Sequence, residues 1–348
     1  MGNKKSVTFI INPISGTKTK EQVPHLIDEL LDNTRFRYEV RMTEYAGHAT
    51  EIASQCAHQG TDIVVAVGGD GTVNEVGRAL VHTPSALAII PCGSGNGLAR
   101  HLGLPIDTRK AISIINQCHI DAFDYGVING QPFFCTCGMG FDAFISLKFA
   151  EAGKRGPVTY VENVLREGLS YKPETYELIL PDSTQRHKAF LIACANASQY
   201  GNNAYIAPGA TMKDGLMDVV IMEPFDTIEA PQIAADLFMK TLSNNSKIKA
   251  FRSQRIKIRR SAPGAIHYDG DPIMTDADIE VHIEHLGINI VLNPDFQEDD
   301  GKPNGVLNAF SDFFNNINNV REDIRDDLGK TGRNIQAINK VLLRKLRN

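Results

Sequence analysis

What the sequence lacks narrows it first. No stretch approaches the roughly 20 apolar residues that a bilayer-spanning helix needs. The N-terminus runs almost directly from Lys4-Lys5 into a strand-like segment, so neither a spanning helix nor a leader is expected. Its six cysteines (Cys56, Cys92, Cys118, Cys135, Cys137, Cys194) contain no Cys-x-x-Cys pair. With Cys56, Cys92 and Cys194 in apolar or motif contexts, reduced thiols in a cytoplasmic protein are favoured over disulfides or a zinc site. A basic excess is absent as well: the formal charge of −5 argues against general nucleic-acid binding. Met1-Gly2-Asn3-Lys4-Lys5-Ser6 satisfies the loose myristoylation pattern, but Ser6 already borders a strand, which disfavours that reading.

What is present is glycine at strand ends. Asp62-Ile63-Val64-Val65-Ala66-Val67 is short, apolar and β-branched, as an interior parallel strand is, and it runs into Gly68-Gly69-Asp70-Gly71-Thr72-Val73-Asn74-Glu75. Glycines there let main-chain N–H groups approach a ligand, and a helix beginning near Thr72 adds its positive end, so the turn suits a phosphate. A carboxylate beside a phosphate is repelled unless a metal or proton intervenes, so Asp70 points to magnesium-linked phosphoryl chemistry; the plainer alternative is a helix cap. Ala86–Pro91 runs likewise into Cys92-Gly93-Ser94-Gly95-Asn96-Gly97, and Ser6–Ile11 into Asn12-Pro13-Ile14-Ser15-Gly16. Three such loops in one sheet face one edge, where α/β folds bind ligands.

Residues 6–118 alternate strand and helix: strands 6–12, 36–42, 62–67 and 86–91, with helices 19–31, 48–59, 72–80, 96–101 and 107–117. Such alternation predicts a parallel sheet with right-handed crossovers, an α/β domain over 1–118. From 119 to 293 short strands (131–137, 174–180, 188–196, 217–222, 255–259, 279–284) predict a β-sandwich, interrupted by helix at 142–168 and 227–242. Residues 294–348 read as a polar linker and helical tail, with Val306, Phe310, Phe313, Phe314 and Ile317 at helical spacing and Lys330, Arg333, Lys340, Arg344, Lys345 and Arg347 near the end. A basic amphipathic tail suits an anionic membrane surface; packing on its own domain or on a second subunit, as in a homodimer, is the alternative.

These motifs resemble the diacylglycerol kinase catalytic-domain family, which includes bacterial lipid kinases, sphingosine kinases and ceramide kinases. The resemblance rests on Asn12–Gly16, Thr43 with Gly47-His48-Ala49, Gly68–Glu75, Pro91–Arg100, Asp124-Tyr125-Gly126, Gly138-Met139-Gly140-Phe141-Asp142, Asp214–Asp218 and Asp269-Gly270-Asp271-Pro272, in family order over residues 5–293. The Gly-Gly-Asp-Gly-Thr turn alone is shared with NAD kinases and phosphofructokinases. The resemblance implies a Rossmann-like domain and a β-sandwich with the chemistry between them, ATP and magnesium, and a lipid substrate met from the cytoplasmic side of a membrane.

It implies that Asn12, Pro13, Ser15, Gly16, Thr43, Gly68, Gly69, Asp70, Gly71, Thr72, Asn74, Gly93, Ser94, Gly95 and Asn96 hold the nucleotide. Asp70 would be a base or magnesium organiser, Asp124 an acid ordering the metal and water network, and Asp142 the acid that grips the lipid head, although read alone Asp142 is more often a helix N-cap. Arg100, read from its place on the helix after the second loop, would reach a phosphate or stay solvated. Asp214, with carbonyls near Thr211 and Leu216, would hold a structural magnesium. The family's usual Asp-Gly-Glu, whose glutamate takes the proton of the lipid hydroxyl, is here Asp269-Gly270-Asp271. Asp271 keeps the carboxylate but withdraws it by one methylene, on the order of 1.5 Å. Read without the resemblance, the motif is a hairpin turn. Helix-spaced Phe144, Leu147, Phe149, Val158, Tyr160, Val161, Val164 and Leu165 would wall an acyl pocket or form core. The rival readings are a soluble NAD kinase and a catalytically weak lipid or nucleotide sensor.

Overall fold

The computed structural model describes residues 4–14, 20–152, 171–298 and 301–303. Strands β1 (Lys5–Ile11), β2 (Phe36–Met42), β3 (Ile63–Gly68) and β4 (Ala86–Pro91) alternate with helices α1 (Val23–Leu30), α2 (His48–His58) and α3 (Asp70–Leu80), followed by α4 (Gly97–His101) and α5 (Thr108–Gln117). The four strands lie parallel in the order β2-β1-β3-β4. β3 and β4 are buried at every residue, which is why both read as uninterrupted apolar runs. Ile11 lies level with Val67, and Gly68 with Pro91, so the three glycine loops leave the same edge.

The second half contributes β5 (His119–Ile128), β6 (Gln131–Phe133), β7 (Thr136–Gly140), α6 (Phe141–Ala152), β8 (Glu174–Ile179), β9 (Thr184–Ala189), β10 (Leu191–Ala195), β11 (Met217–Met222), α7 (Ala230–Met239), β12 (Ile248–Ser253), β13 (Arg255–Arg259), β14 (Gly264–Tyr268), β15 (Asp271–Thr275) and β16 (Asp278–Leu292). An antiparallel sheet, β12-β11-β10-β7-β14-β15, packs on the antiparallel strands of the other sheet. Met139, Ile192, Val219 and Ile266 from one side meet Tyr176, Leu178, Ile256 and Val281 from the other. This is the expected β-sandwich.

Several details differ from the sequence reading; the strand expected at 131–137, for one, divides into β6 and β7, which lie in different sheets. The strand expected at 279–284 runs on to Leu292 past a bulge between Glu284 and Ile288, where Leu286 takes a left-handed φ of 49°. Its first half pairs with β13, while Asn289 and Ile290 lie parallel to β4, so one strand continues the N-terminal sheet into the sandwich. Residues 119–128, at the start of the stretch expected to hold mostly short strands, are its antiparallel partner β5. The single strand expected at 188–196 breaks at Phe190, because β9 and β10 belong to different sheets. The helix expected from 142 is described to Ala152; the rest of its span, with the remaining members of the acyl-pocket stripe, and the tail helices lie outside the described residues.

Candidate active site

The N-terminus of α3 carries no side-chain cap, so the helix end keeps N–H donors for an anion. Asp70 turns its carboxylate away to the neighbouring loop. Oδ2 accepts the Asn96 N–H at 2.8 Å, and Oδ1 accepts that of Gly97 at 2.6 Å. Burial pushes this carboxyl above its ordinary range, while the Gly97 and Asn96 N–H groups pull it back. The cap alternative therefore has a counterpart, with Asp70 at the start of α4 rather than of its own helix.

The second loop is closed on itself. The Gly93 N–H donates to Asn96 Oδ1 at 2.9 Å, and Asn96 Nδ2 donates to the Gly93 carbonyl at 2.7 Å, with Asn96 left-handed at φ 51°. A Cβ on Gly93 would lie 2.5 Å from Gly69 Cα, and one on Gly95 would lie 2.8 Å from Asp70 Oδ2. Over Gly71 the space is open, and Ser94 is the exposed tip. Gly68 packs so closely on Thr72 that a Cβ would meet its Oγ1 at 2.4 Å. Asn12 joins the group by donating from Nδ2 to Thr72 Oγ1 at 3.2 Å, and Thr43 lies beside it through its bond to the Ile11 carbonyl. Pro13 is exposed; Ser15 and Gly16 lie outside the described residues. Asn74 is buried on α3 with its Nδ2 unpartnered, an amide with donor capacity to spare beside these loops. Arg100, expected on a phosphate, braces the Gly95 carbonyl through Nε at 3.0 Å and reaches Asn203 at 3.4 Å.

The hairpin joining β14 to β15 brings the other acids here. Asp269 and Gly270 are its left-handed turn residues, at φ 52° and 86°, as an Asp-Gly turn requires. Asp269 is half-buried, and its carboxylate accepts three N–H groups, from Phe134, Cys135 and Thr136. The Cys135 thiol is pushed well up, by burial first and then by the charges of Asp269 and Asp70. Asp271 faces elsewhere. Its Oδ2 lies 3.0 Å from Arg78 Nη1, its side chain is 51% exposed, and Arg78 lies over the Tyr268 ring. Asp142 is half-buried, with Oδ2 3.0 Å from His267 Nε2 and 3.4 Å from the Tyr200 hydroxyl.

Asn196 links Asp124 to the 134–136 segment, its Nδ2 donating to the Asp124 carbonyl at 3.0 Å and to the Phe134 carbonyl at 2.8 Å. The fully buried Asp124 carboxylate accepts the N–H groups of Gly215 and Leu286, each at 2.7 Å, and meets His285 Nδ1 at 2.7 Å. It ties the 211–216 loop to the bulge of β16.

The donor set expected for a structural magnesium does not fit one. Asp214 is the sole carboxylate of that set; Oδ1 accepts the Leu216 N–H at 3.0 Å, and Oδ2 faces Arg252 at 3.4 Å. The same guanidinium pairs with Asp218 and donates to the Gly209 carbonyl. Thr211 donates its hydroxyl to Glu298. An arginine already supplies the positive charge that a hard cation would bring. Addition of a chelator to the nucleotide-free protein is therefore expected to leave its melting temperature unchanged within about 1 °C, less than the shift that roughly 1 kcal/mol produces; a fall of several degrees in differential scanning fluorimetry would restore a bound metal.

Several residues of the site escaped the sequence reading. Glu75 accepts the Gly47 and Ala49 N–H groups at 3.1 Å and so caps α2 from α3. Lys20 is buried with Nζ on the Asn12 carbonyl, its pKa lowered by burial. Tyr200 and Gly201 press on Gly97 and Gly95. The Gly201-Asn202-Asn203 turn was a readable signal; for Lys20 and His267 there was none.

Comparison with known proteins now adds to this geometry. The diacylglycerol kinase catalytic domain family model matches residues 6–128, and that of the YegS C-terminal NAD kinase beta sandwich-like domain matches residues 136–290. The chain belongs to the diacylglycerol kinase catalytic-domain family. Among the relatives of this chain is the diacylglycerol kinase of Bacillus subtilis, 25% identical over 77% of this chain and 90% of its own. Another is a probable YegS-like lipid kinase of Chromohalobacter salexigens, 27% identical over 67% and 77%. The fold is shared with a putative diacylglycerol kinase structure from Bacillus anthracis, with a TM-score of 0.71, 21% identity, and coverage of 85% of this chain and 98% of that one. Among the described residues, no helix is long and apolar enough to cross a membrane.

Proposed function

We propose that this protein transfers the γ-phosphate of ATP, with magnesium, to a hydroxyl of a diacylglycerol-like or sphingoid lipid at a membrane surface. One observation carries the reading: the two glycine loops are locked together by Asp70 at the sheet edge, and the hairpin bearing Asp269 and Asp271 is anchored to the 134–136 segment beside them. An ATP phosphate chain fits the donors offered by the α3 N-terminus, the open space over Gly71, and the unpartnered amide of Asn74. Residues 1–118 would form the nucleotide domain, 119–293 the lipid-kinase sandwich and 294–348 a linker with an amphipathic tail. Bound ATP supplies the phosphoryl group and magnesium offsets its charge; the protein's part is to place donor and acceptor in line.

The test is transfer of labelled γ-phosphate into mixed micelles of diacylglycerol, monoacylglycerol, sphingosine, ceramide or phosphatidylglycerol, with NAD as the soluble control. Label in a lipid is the expected result; label in NAD alone would make the enzyme an NAD kinase. The ion pair between Asp271 and Arg78 favours a second reading, a binding protein of low turnover. For the kinase, Asp271→Glu is expected to change turnover by less than about tenfold; a rise from near zero of 100-fold or more would favour the binding protein.

A further inference from the structure

Arg260, directly after β13, is 5% exposed, and all the bonds of its Nη groups go to neutral oxygens. Nη1 donates to the Ala265 carbonyl at 2.9 Å. Nη2 donates to the Gly264, Thr275 and Asp276 carbonyls at 2.6, 3.1 and 3.2 Å and to the Thr275 hydroxyl at 2.9 Å. These bonds clamp the base of the β14–β15 hairpin. Nε, equally buried, has no partner. A guanidinium shielded from water is ordinarily matched by an acid, because an unpaired buried charge is destabilising. Burial accordingly draws the Arg260 pKa down. One charged donor is left over.

The same side chain lines a hollow of about 150 Å³ between the start of α6 and the sandwich. A space of that size takes a molecule as large as benzene. Phe144 and Leu147 of α6, with Tyr171 and Met274, give it apolar walls. Met274 is 60% exposed, so the walls run out to the surface. An alkyl chain end alone would bury the Nε–H against carbon and leave it unmatched. The hydroxyls of Tyr171 and Tyr176 are pushed up, by burial first, so both stay protonated and set no charge against an incoming anion. Glu174 is exposed at the rim. With one guanidinium inside and one carboxylate at the rim, a singly charged oxyanion is a better match than a doubly charged phosphate monoester.

We propose that this hollow is a binding site for the carboxylate end of a long-chain fatty acid, with Arg260 Nε donating to the carboxylate and the first methylenes lying against Phe144, Leu147 and Met274. Neither Asp142 nor any residue assigned to the nucleotide lines it, so its occupation does not depend on phosphoryl transfer. A charge-assisted hydrogen bond made out of reach of water supplies the selectivity, and the apolar walls favour an acid that carries a chain.

The test is calorimetric titration of the full-length protein with decanoate, below its micelle concentration, against decanol, decyl phosphate and acetate. Decanoate is expected to saturate one site. Decanol, which lacks the charge, should bind at least about tenfold more weakly, the smaller end of what a hydrogen bond to a charged group contributes. Decyl phosphate should also bind more weakly, and acetate should not saturate over the same range. Ala265→Trp, on β14 opposite Met274, fills the hollow and keeps Arg260; it should abolish decanoate binding. Arg260→Met should weaken decanoate at least about tenfold and leave decanol unchanged within about twofold. Decanol as tight as decanoate would make the hollow an alkyl-chain site, decyl phosphate tighter a phosphate site, and acetate as tight a free-oxyanion site. Each of these overturns the proposal, as does decanoate binding that survives Ala265→Trp. If Arg260→Met does not fold, the four ligands and Ala265→Trp decide it. A protein that binds decanoate in this way but labels no lipid defeats only the kinase reading; one that labels lipid but treats decanoate and decanol alike defeats only this site.

Discussion

Asp70→Ala is expected to abolish most phosphoryl transfer, by on the order of 100-fold or more, and to lower the melting temperature. The carboxylate is the one group that bonds α3 to both Asn96 and Gly97. Without it, two buried N–H groups at the start of α4 lose their acceptor, at about 1–3 kcal/mol each. Together that is about 2–6 kcal/mol, or roughly 4–24 °C at about 2–4 °C for each kcal/mol. The loop they shape approaches Gly69 with no room to spare, so a shift of about 1 Å there displaces the nucleotide cradle, and such a displacement costs on the order of 100-fold in rate. Asp70→Asn is not a mild alternative: an amide presents one acceptor and one donor to two N–H groups, so one contact becomes a clash of donors. Melting curves with the γ-phosphate assay check this. If Asp70→Asn melts like wild type while losing all activity, the carboxylate acts on magnesium or the substrate and its contacts to the loop are secondary.

The parts of this fold that local chemistry dictates were legible. Ile63–Val67 and Ala86–Ile90 are buried on both faces, and their glycine exits leave the sheet on one edge, so strand type and loop placement followed from residue pattern. The Asp-Gly turn at 269–270 was likewise readable, because its left-handed angles select those residues. The long β16 was not. Its sequence alternates through 284, then Leu286 and Gly287 look like a stop, whereas Asp124 accepts the Leu286 N–H and holds the bulge so that the strand resumes beside β4. That support comes from 162 residues away and leaves no local trace.

The site divides in the same way. Glycines and acids in motifs located the loops, but what each acid does depends on partners far along the chain. Arg78 reaches Asp271 across 193 residues, and His267 reaches Asp142 across 125. Nothing about Arg78 on a helix face announces an ion pair with a hairpin, and nothing about His267 in a strand separates a core histidine from one that orients an acid. Burial decides between them, and burial is a property of the assembled sandwich.

Asp269→Ala is expected to be the most damaging substitution in the second half, and it separates the two acids of the 269–271 turn. Its carboxylate is buried against the N–H groups of Phe134, Cys135 and Thr136, at 2.7, 2.7 and 3.0 Å, while its own N–H donates to the Thr136 carbonyl at 2.8 Å. The alanine variant strands three donors in a segment where Phe134 packs on Gly77 of α3. At about 1–3 kcal/mol for each orphaned donor the loss is at least about 3 kcal/mol, enough to take on the order of 10 °C from the melting temperature. Asp271→Ala removes one half-exposed ion pair, whose contribution is at most about 1 kcal/mol, so its melting temperature should stay within roughly 3 °C of wild type. Thermal melts of the two variants side by side test the division. Equal losses would mean that Asp271 and Arg78 hold the hairpin as firmly as Asp269 does, and the charge at 271 would then have to be counted as part of the scaffold.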